Sequence, residues 1–142
     1  FSYKINTENL VLIDDYAHHP TEIKAVCDSV REMYPDKKVL AVFQPHLFSR
    51  TRDFIEEFAW ELSKFDALML LDIYPAREEP IAGVNSAWLF DKIQLENKNL
   101  IAKESLVENI KKSDEKVIVM LGAGDIGAMV DTVVIELEKE LI

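Results

Sequence analysis

The sequence predicts an α/β fold built on a mostly parallel sheet with an N-terminal hairpin. Three observations carry that prediction. Short apolar runs alternate with amphipathic stretches along the whole chain. The run at residues 39–43 is continuously apolar, as in strands buried on both faces of a parallel sheet, and residues 67–73 read as another buried strand. The chain has 142 residues, 49% hydrophobic and 30% charged, the size and balance of one domain (residues 1–142) with one core.

Each element follows in order. Phe1, Tyr3 and Ile5 alternate with Ser2, Lys4 and Asn6, the pattern of a half-buried strand. Asn6-Thr7-Glu8-Asn9 reads as a turn and residues 10–13 as the second arm of the hairpin. Pro20 suits the first turn of a helix that puts Ile23, Val26, Cys27, Val30 and Met33 on one face and stops at Tyr34-Pro35-Asp36. The strand at 39–43 leads to a helix over about residues 51–65, with Phe54, Ile55, Phe58, Ala59 and Leu62 inward. After the strand at 67–73 comes a Pro- and Glu-rich loop (74–83), then a short helix over about 86–93. Residues 100–102 read as a short strand before a helix carrying Leu106, Val107 and Ile110. A last strand (117–121) and a last helix bearing Ile126, Met129, Val130, Val133, Val134 and Leu137 close the pattern. Successive strand–helix–strand units imply right-handed crossovers.

Composition excludes several classes. A net charge of −10 argues against nucleic acid as a partner, because backbone binding needs a basic surface. The longest uncharged apolar run, Ala67-Leu68-Met69-Leu70-Leu71, falls far short of the roughly 20 residues that cross a bilayer, so no membrane partner is expected. The start has no basic segment followed by an apolar one, so no signal peptide is read there, and Phe1 begins a strand at once, as in a chain cut from a longer protein. One cysteine, Cys27, leaves no internal disulfide; it suits a cytoplasmic location and reads as a buried structural thiol.

In parallel sheets ligands bind outside the carboxyl ends of the strands, and the residues with chemistry fall there. Asp14, Asp15, Tyr16, His18 and His19 follow the second strand; Gln44, His46, Arg50 and Arg52 follow the third. Asp72, Tyr74 and Arg77 follow the next, and Gly122, Ala123, Gly124 and Asp125 follow the last. All three histidines of the chain lie in these loops. Asp14 or Asp15 also reads as strand-end punctuation, and Asp72 likewise. Arg50 and Arg52 at a helix start oppose the helix dipole, a cost that a bound anion would offset. Gly122-Ala123-Gly124-Asp125-Ile126-Gly127 fits G-x-G-x-x-G, but the strand and acidic residue of a dinucleotide fold do not follow. The small residues there would let a ligand or a neighbouring backbone approach. No P-loop, Cys-x-x-Cys pair or serine elbow is present, so no metal site is expected and nothing cradles a triphosphate unaided.

Four segments together resemble a known family. They are Asp14-Asp15-Tyr16-Ala17-His18-His19-Pro20-Thr21-Glu22, Phe43-Gln44-Pro45-His46-Leu47-Phe48-Ser49-Arg50-Thr51-Arg52-Asp53, Asp72-Ile73-Tyr74-Pro75-Ala76-Arg77-Glu78 and Gly122-Ala123-Gly124-Asp125-Ile126. In order and content they resemble the carboxyl-terminal domain of the Mur ligases, the branch that joins L-alanine to UDP-N-acetylmuramate in peptidoglycan synthesis. The muropeptide-recycling branch is close.

The resemblance implies a Rossmann-like, three-layer fold with helices on both faces, and an ATP-dependent amide ligase whose UDP-sugar and ATP domains lie outside this chain. ATP and Mg²⁺ would be held mainly by the absent central domain, with none expected on this chain alone, and the isolated chain would be inactive. Residue by residue, it assigns Asp15 to the nucleotide ribose and Tyr16 to the base. It turns His19 toward the incoming amino acid and gives its carboxylate and the developing charge to His46 and Arg50. Gly122, Ala123 and Gly124 would line the amino-acid pocket. Many members carry Arg where this chain has Leu47, which leaves one cation fewer. Two readings from other classes compete: a receiver-like phospho-acceptor domain using Asp14, Asp15 and Asp72, and a metal hydrolase using Asp14, Asp15, His18, His19 and His46.

Overall fold

A computed structural model describes residues 1–141. Six strands form one sheet in the order β1-β2-β6-β3-β4-β5. Their ranges are β1 (Ser2–Asn6), β2 (Val11–Asp15), β3 (Val39–Phe43), β4 (Ala67–Leu70), β5 (Lys98–Leu100) and β6 (Val117–Leu121). Only β1 runs antiparallel to its neighbour. The helices are α1 (Pro20–Met33), α2 (Phe48–Asp53), α3 (Ile55–Leu62), α4 (Ser86–Lys92), α5 (Leu106–Lys112) and α6 (Ile126–Leu141).

The central strands β3 and β6 are buried at every position, because helices cover both faces. Ile23, Phe58, Leu62 and Leu89 bring α1, α3 and α4 against one face. Leu106, Ile110, Ile126, Val130 and Val133 bring α5 and α6 against the other. The expected three-layer α/β sandwich with an opening hairpin is therefore present. Among the described residues no helix is long and apolar enough to cross a membrane, and no buried side-chain nitrogen or oxygen lacks a partner.

Local chemistry sets the ends. Pro20 opens α1, and the Glu22 carboxylate accepts the backbone N–H groups of His18 (3.0 Å) and His19 (2.9 Å), fixing the chain entry into the helix. Asn85 caps α4, accepting from Trp88 N at 2.9 Å. Asp66 accepts from Val39 N (2.7 Å) and Arg31 (2.6 Å), clamping the start of β3 to the end of α1.

Five expectations need correction. Phe1 (48% exposed) and Tyr3 (39%) are not half-buried; β1 is an edge strand with a register shift between Tyr3 and Ile5, and it gives only Ile5 to the core. Met33, the last residue of α1, is exposed. The strand expected over 67–73 pairs only to Leu70, although Leu71 and Ile73 on either side of the exposed Asp72 stay buried. The strand near residue 100 begins earlier, at Lys98, and is a short edge that needs no apolar run.

The largest difference concerns the helix over 51–65. It starts at Phe48 and is broken into α2 and α3 at Phe54, which is exposed and not inward as expected. Arg50 and Arg52 thus lie in the last turn of α2, where cations suit the helix dipole. The dipole cost argued from sequence disappears, and with it that reason for an anion.

Candidate functional site at the carboxyl ends of β2, β3 and β6

The strand β6 lies between β2 and β3, so the loops leaving β2 and β3 meet across its end. Gly122 N donates to Asp15 O at 3.2 Å and Gln44 N to Leu121 O at 3.1 Å, which ties all three strand ends together. The chain leaves β2 and β3 toward one face and β6 toward the other, a crevice where such folds place ligands.

Part of that crevice is filled from within. The buried Gln44 side chain donates to Asp125 and accepts from Ile126 N at 3.0 Å, capping the start of α6. A Cβ on Gly124 would stand 2.5 Å from Gln44 Oε1 and 2.6 Å from Tyr74 Cγ. Gly122, at φ +150, would bring a Cβ to 2.8 Å from Ile126 and 3.0 Å from Gln44 O. The small residues of this turn therefore answer a close approach of the protein's own side chains. A cavity of about 210 Å³ opens beside it, lined by Asp72, Tyr74, Lys103 and Asp125, with Lys103 and Asp125 paired at 3.2 Å.

The opposite part of the rim holds a chain of rings. Tyr16 meets His18 edge-on at 5.3 Å between centroids, His18 meets His46 at 6.0 Å, and His46 stacks flat on Tyr74 at 5.6 Å. Arg50 Nη1 lies 3.1 Å from His46 Nδ1. A guanidinium can only donate, so Nδ1 of His46 is the acceptor and Nε2 carries the hydrogen. His18 Nδ1 lies 2.8 Å from Tyr16 O. A carbonyl can only accept, so here Nδ1 carries the hydrogen and Nε2 of the neutral ring keeps its lone pair. The two rings are fixed as opposite tautomers, one an Nε2 donor and one an Nε2 acceptor. Burial, then Arg50, then His18 hold the His46 imidazole below its ordinary pKa, which keeps it a neutral donor. Among the described residues the other guanidinium nitrogens of Arg50 have no hydrogen-bond partner, so most of its fork remains available to donate.

The residues singled out from sequence separate clearly. His46 and Arg50 are in contact. Tyr16 is 71% exposed, an aromatic face open to a planar group. Asp15 turns back on its own loop, accepting Ala17 N at 2.8 Å. His19 packs against His18 at 5.1 Å and Phe54 at 5.8 Å, one ring removed from His46. His18 is the member to which the resemblance gives no role. Nothing in two adjacent histidines says which ring turns inward.

The competing readings meet the geometry poorly. Asp72 follows β4, three strand spacings (roughly 14 Å) from the acids of β2, so the paired-acid arrangement of a phospho-acceptor is not assembled. Among the described residues no three His, Cys, Asp or Glu side chains converge as metal ligands.

Known proteins resemble this chain closely. The family model described as Mur ligase, glutamate ligase domain, matches residues 3–135. UDP-N-acetylmuramate–L-alanine ligase of Christiangramia forsetii is 68% identical over 133 residues, covering 94% of this chain and 29% of that protein. The enzyme of the same name from Flavobacterium psychrophilum is 60% identical over 140 residues, covering 99% and 31%. The chain therefore spans about a third of the length of these relatives. Among solved structures, the UDP-N-acetylmuramate–alanine ligase of Thermotoga maritima superposes with a TM-score of 0.78 at 23% identity, over 99% of this chain and 30% of that one. A domain from a Haemophilus ducreyi ligase superposes with a TM-score of 0.67 at 21% identity, over 96% of this chain and 98% of that chain, so the fold stands there as a separate chain.

Proposed function

This chain belongs to the Mur ligase family, in its glutamate ligase domain, and on that premise we propose that it receives the amino acid in an ATP-dependent ligase joining L-alanine to UDP-N-acetylmuramate. The observation that carries the reading is the Arg50–His46–His18 cluster at the strand ends. The reaction would run in the cytoplasm as a step of peptidoglycan synthesis, on ATP and the UDP-sugar bound by domains beyond this chain.

The chemistry asks three things of the amino-acid side. The carboxylate must be held, the ammonium must lose a proton, and the charge developing on the attacked acyl group must be met. The free part of the Arg50 fork suits the carboxylate, because a planar guanidinium binds it through two parallel bonds. The Nε2 lone pair of His18 suits the proton, and the Nε2–H of His46 suits the developing oxyanion. Tyr16 offers a stacking face to the nucleotide base, and Asp15 shapes the loop that carries it. Closure of this rim over an ATP domain would then bring amine and acyl phosphate together.

Arg50→Ala in the complete ligase tests the reading. Loss of the bidentate clamp should raise the L-alanine KM or lower kcat at least about tenfold, measured by phosphate release. Unchanged values of both would remove Arg50 from the site and sink the proposal. The 142-residue chain alone, given ATP, UDP-N-acetylmuramate and L-alanine, should release no phosphate.

A further inference from the structure

Two residues other than glycine have positive φ among the described residues, Leu47 at 76° and Ala76 at 53°. Such conformations are costly and persist where surrounding contacts over-determine them. Both belong to one clamp. Leu47 immediately precedes α2, and Ala76 lies in the turn closed by Glu78 N donating to Pro75 O at 2.9 Å. Between the two segments, Leu47 N donates to Tyr74 O at 2.9 Å and Tyr74 N to Pro45 O at 2.8 Å. The far end of the clamp is Glu78. One carboxylate oxygen accepts Ser49 N at 3.0 Å and the other accepts the Ser49 hydroxyl.

Leu47 supplies no side-chain cap to α2, so the Glu78 carboxylate takes that part from outside. The helix is six residues, about 9 Å long, and fixing one end fixes all of it. Arg50 is the next residue after Ser49. We infer that Glu78 is a positioning residue: by gripping Ser49 it sets the pitch of α2, and so the placement of Arg50 against His46 and toward the amino-acid carboxylate. This rests on the proposed function for its consequence, and on geometry alone for the link from Glu78 to His46. Glu78 hydrogen-bonds Ser49 and neither His46 nor Arg50. Ser49 in turn holds its carboxyl below the usual range, so the grip is anionic across neutral pH.

The 142-residue chain labelled with ¹⁵N-histidine provides the test. With Arg50 in place, the ring nitrogens of His46 should give two well-separated signals, an unprotonated Nδ1 and a protonated Nε2. Glu78→Ala should release α2 and draw those signals together toward a tautomeric average. Glu78→Gln keeps an acceptor for Ser49 N and should restore most of the separation. In the complete ligase Glu78→Ala should raise the L-alanine KM about tenfold or more and leave the ATP KM unchanged, as expected for a small misplacement. If the alanine variant does not fold, Ser49→Ala removes one of the two bonds and should move the signals part of the way. His46 signals that stay separated in Glu78→Ala, whatever its thermal midpoint, overturn the inference and leave Glu78 a helix cap. Signals that collapse beside an unchanged L-alanine KM would keep the link and refute the amino-acid reading instead.

Discussion

The turn after β6 and the turn after β3 look alike in purpose and differ in construction. The first is Gly122-Ala123-Gly124, the kind of sequence associated with a bound ligand, yet its glycines make room for Gln44 and Tyr74. The second contains no glycine, strains its backbone at Leu47, and turns Arg50 and His46 out to the rim. A glycine-rich strand end thus reports closeness, and the approaching group here is the protein itself. The residues proposed to carry the chemistry follow a backbone held under strain at Leu47.

That contrast can be broken or sharpened by stability measurements on the chain. Gly124→Ala should be the most damaging, costing about 1–3 kcal/mol in urea unfolding, because its Cβ meets buried neighbours with little room to retreat. An unchanged midpoint would show that the turn is open to a ligand after all. Arg50→Ala should cost at most about 1 kcal/mol, one hydrogen bond at a wet rim. A larger loss would make Arg50 a structural residue. Gly127→Ala, in the exposed first turn of α6 with nothing within 4 Å of its Cβ, should gain about 0.5–1 kcal/mol.

The smallest effect concerns pH. The folded state holds the pKa of His46 below the ordinary 6.5, so the unfolded chain takes up this proton first as the solution is acidified. The stability it contributes is complete above 6.5 and is lost as pH falls through the folded value. His46→Gln should flatten that part of the stability–pH curve; an unaltered slope would mean that His46 titrates as if exposed.

Much of this architecture was legible because burial writes directly into sequence. The uniformly apolar runs of β3 and β6 and the 3.6-residue spacing of Ile23, Val26, Cys27 and Val30 correspond to fully buried elements. Strand order was not legible, since apolar runs do not name their neighbours, and the placement of β6 between β2 and β3 decides which loops meet. The break at Phe54 escaped notice because apolar spacing continues across it, and that break moved Arg50 from one end of a helix to the other. Tyr16, His18, Gln44, His46 and Arg50 were singled out from residue type and strand-end position. What each does was not legible, because it depends on side-chain direction: a His18 ring turned toward His46, a Gln44 amide filling a crevice, and a Glu78 carboxylate, not singled out at all, reaching 29 residues back to Ser49.

The position of β6 also sets a schedule. Until that strand is inserted, the β1–β2 hairpin and the β3–β4–β5 half-sheet share no edge, and each exposes an unpaired flank. His18 and His46 belong to different halves, so they become neighbours only after residue 121 has joined the sheet. A ribosome-bound chain stopped short of β6 would hold every rim residue from Tyr16 to Glu78 and still lack the site. Pairings this distant in sequence are slow to close. The rim should therefore be among the last regions to acquire protection from hydrogen exchange during refolding.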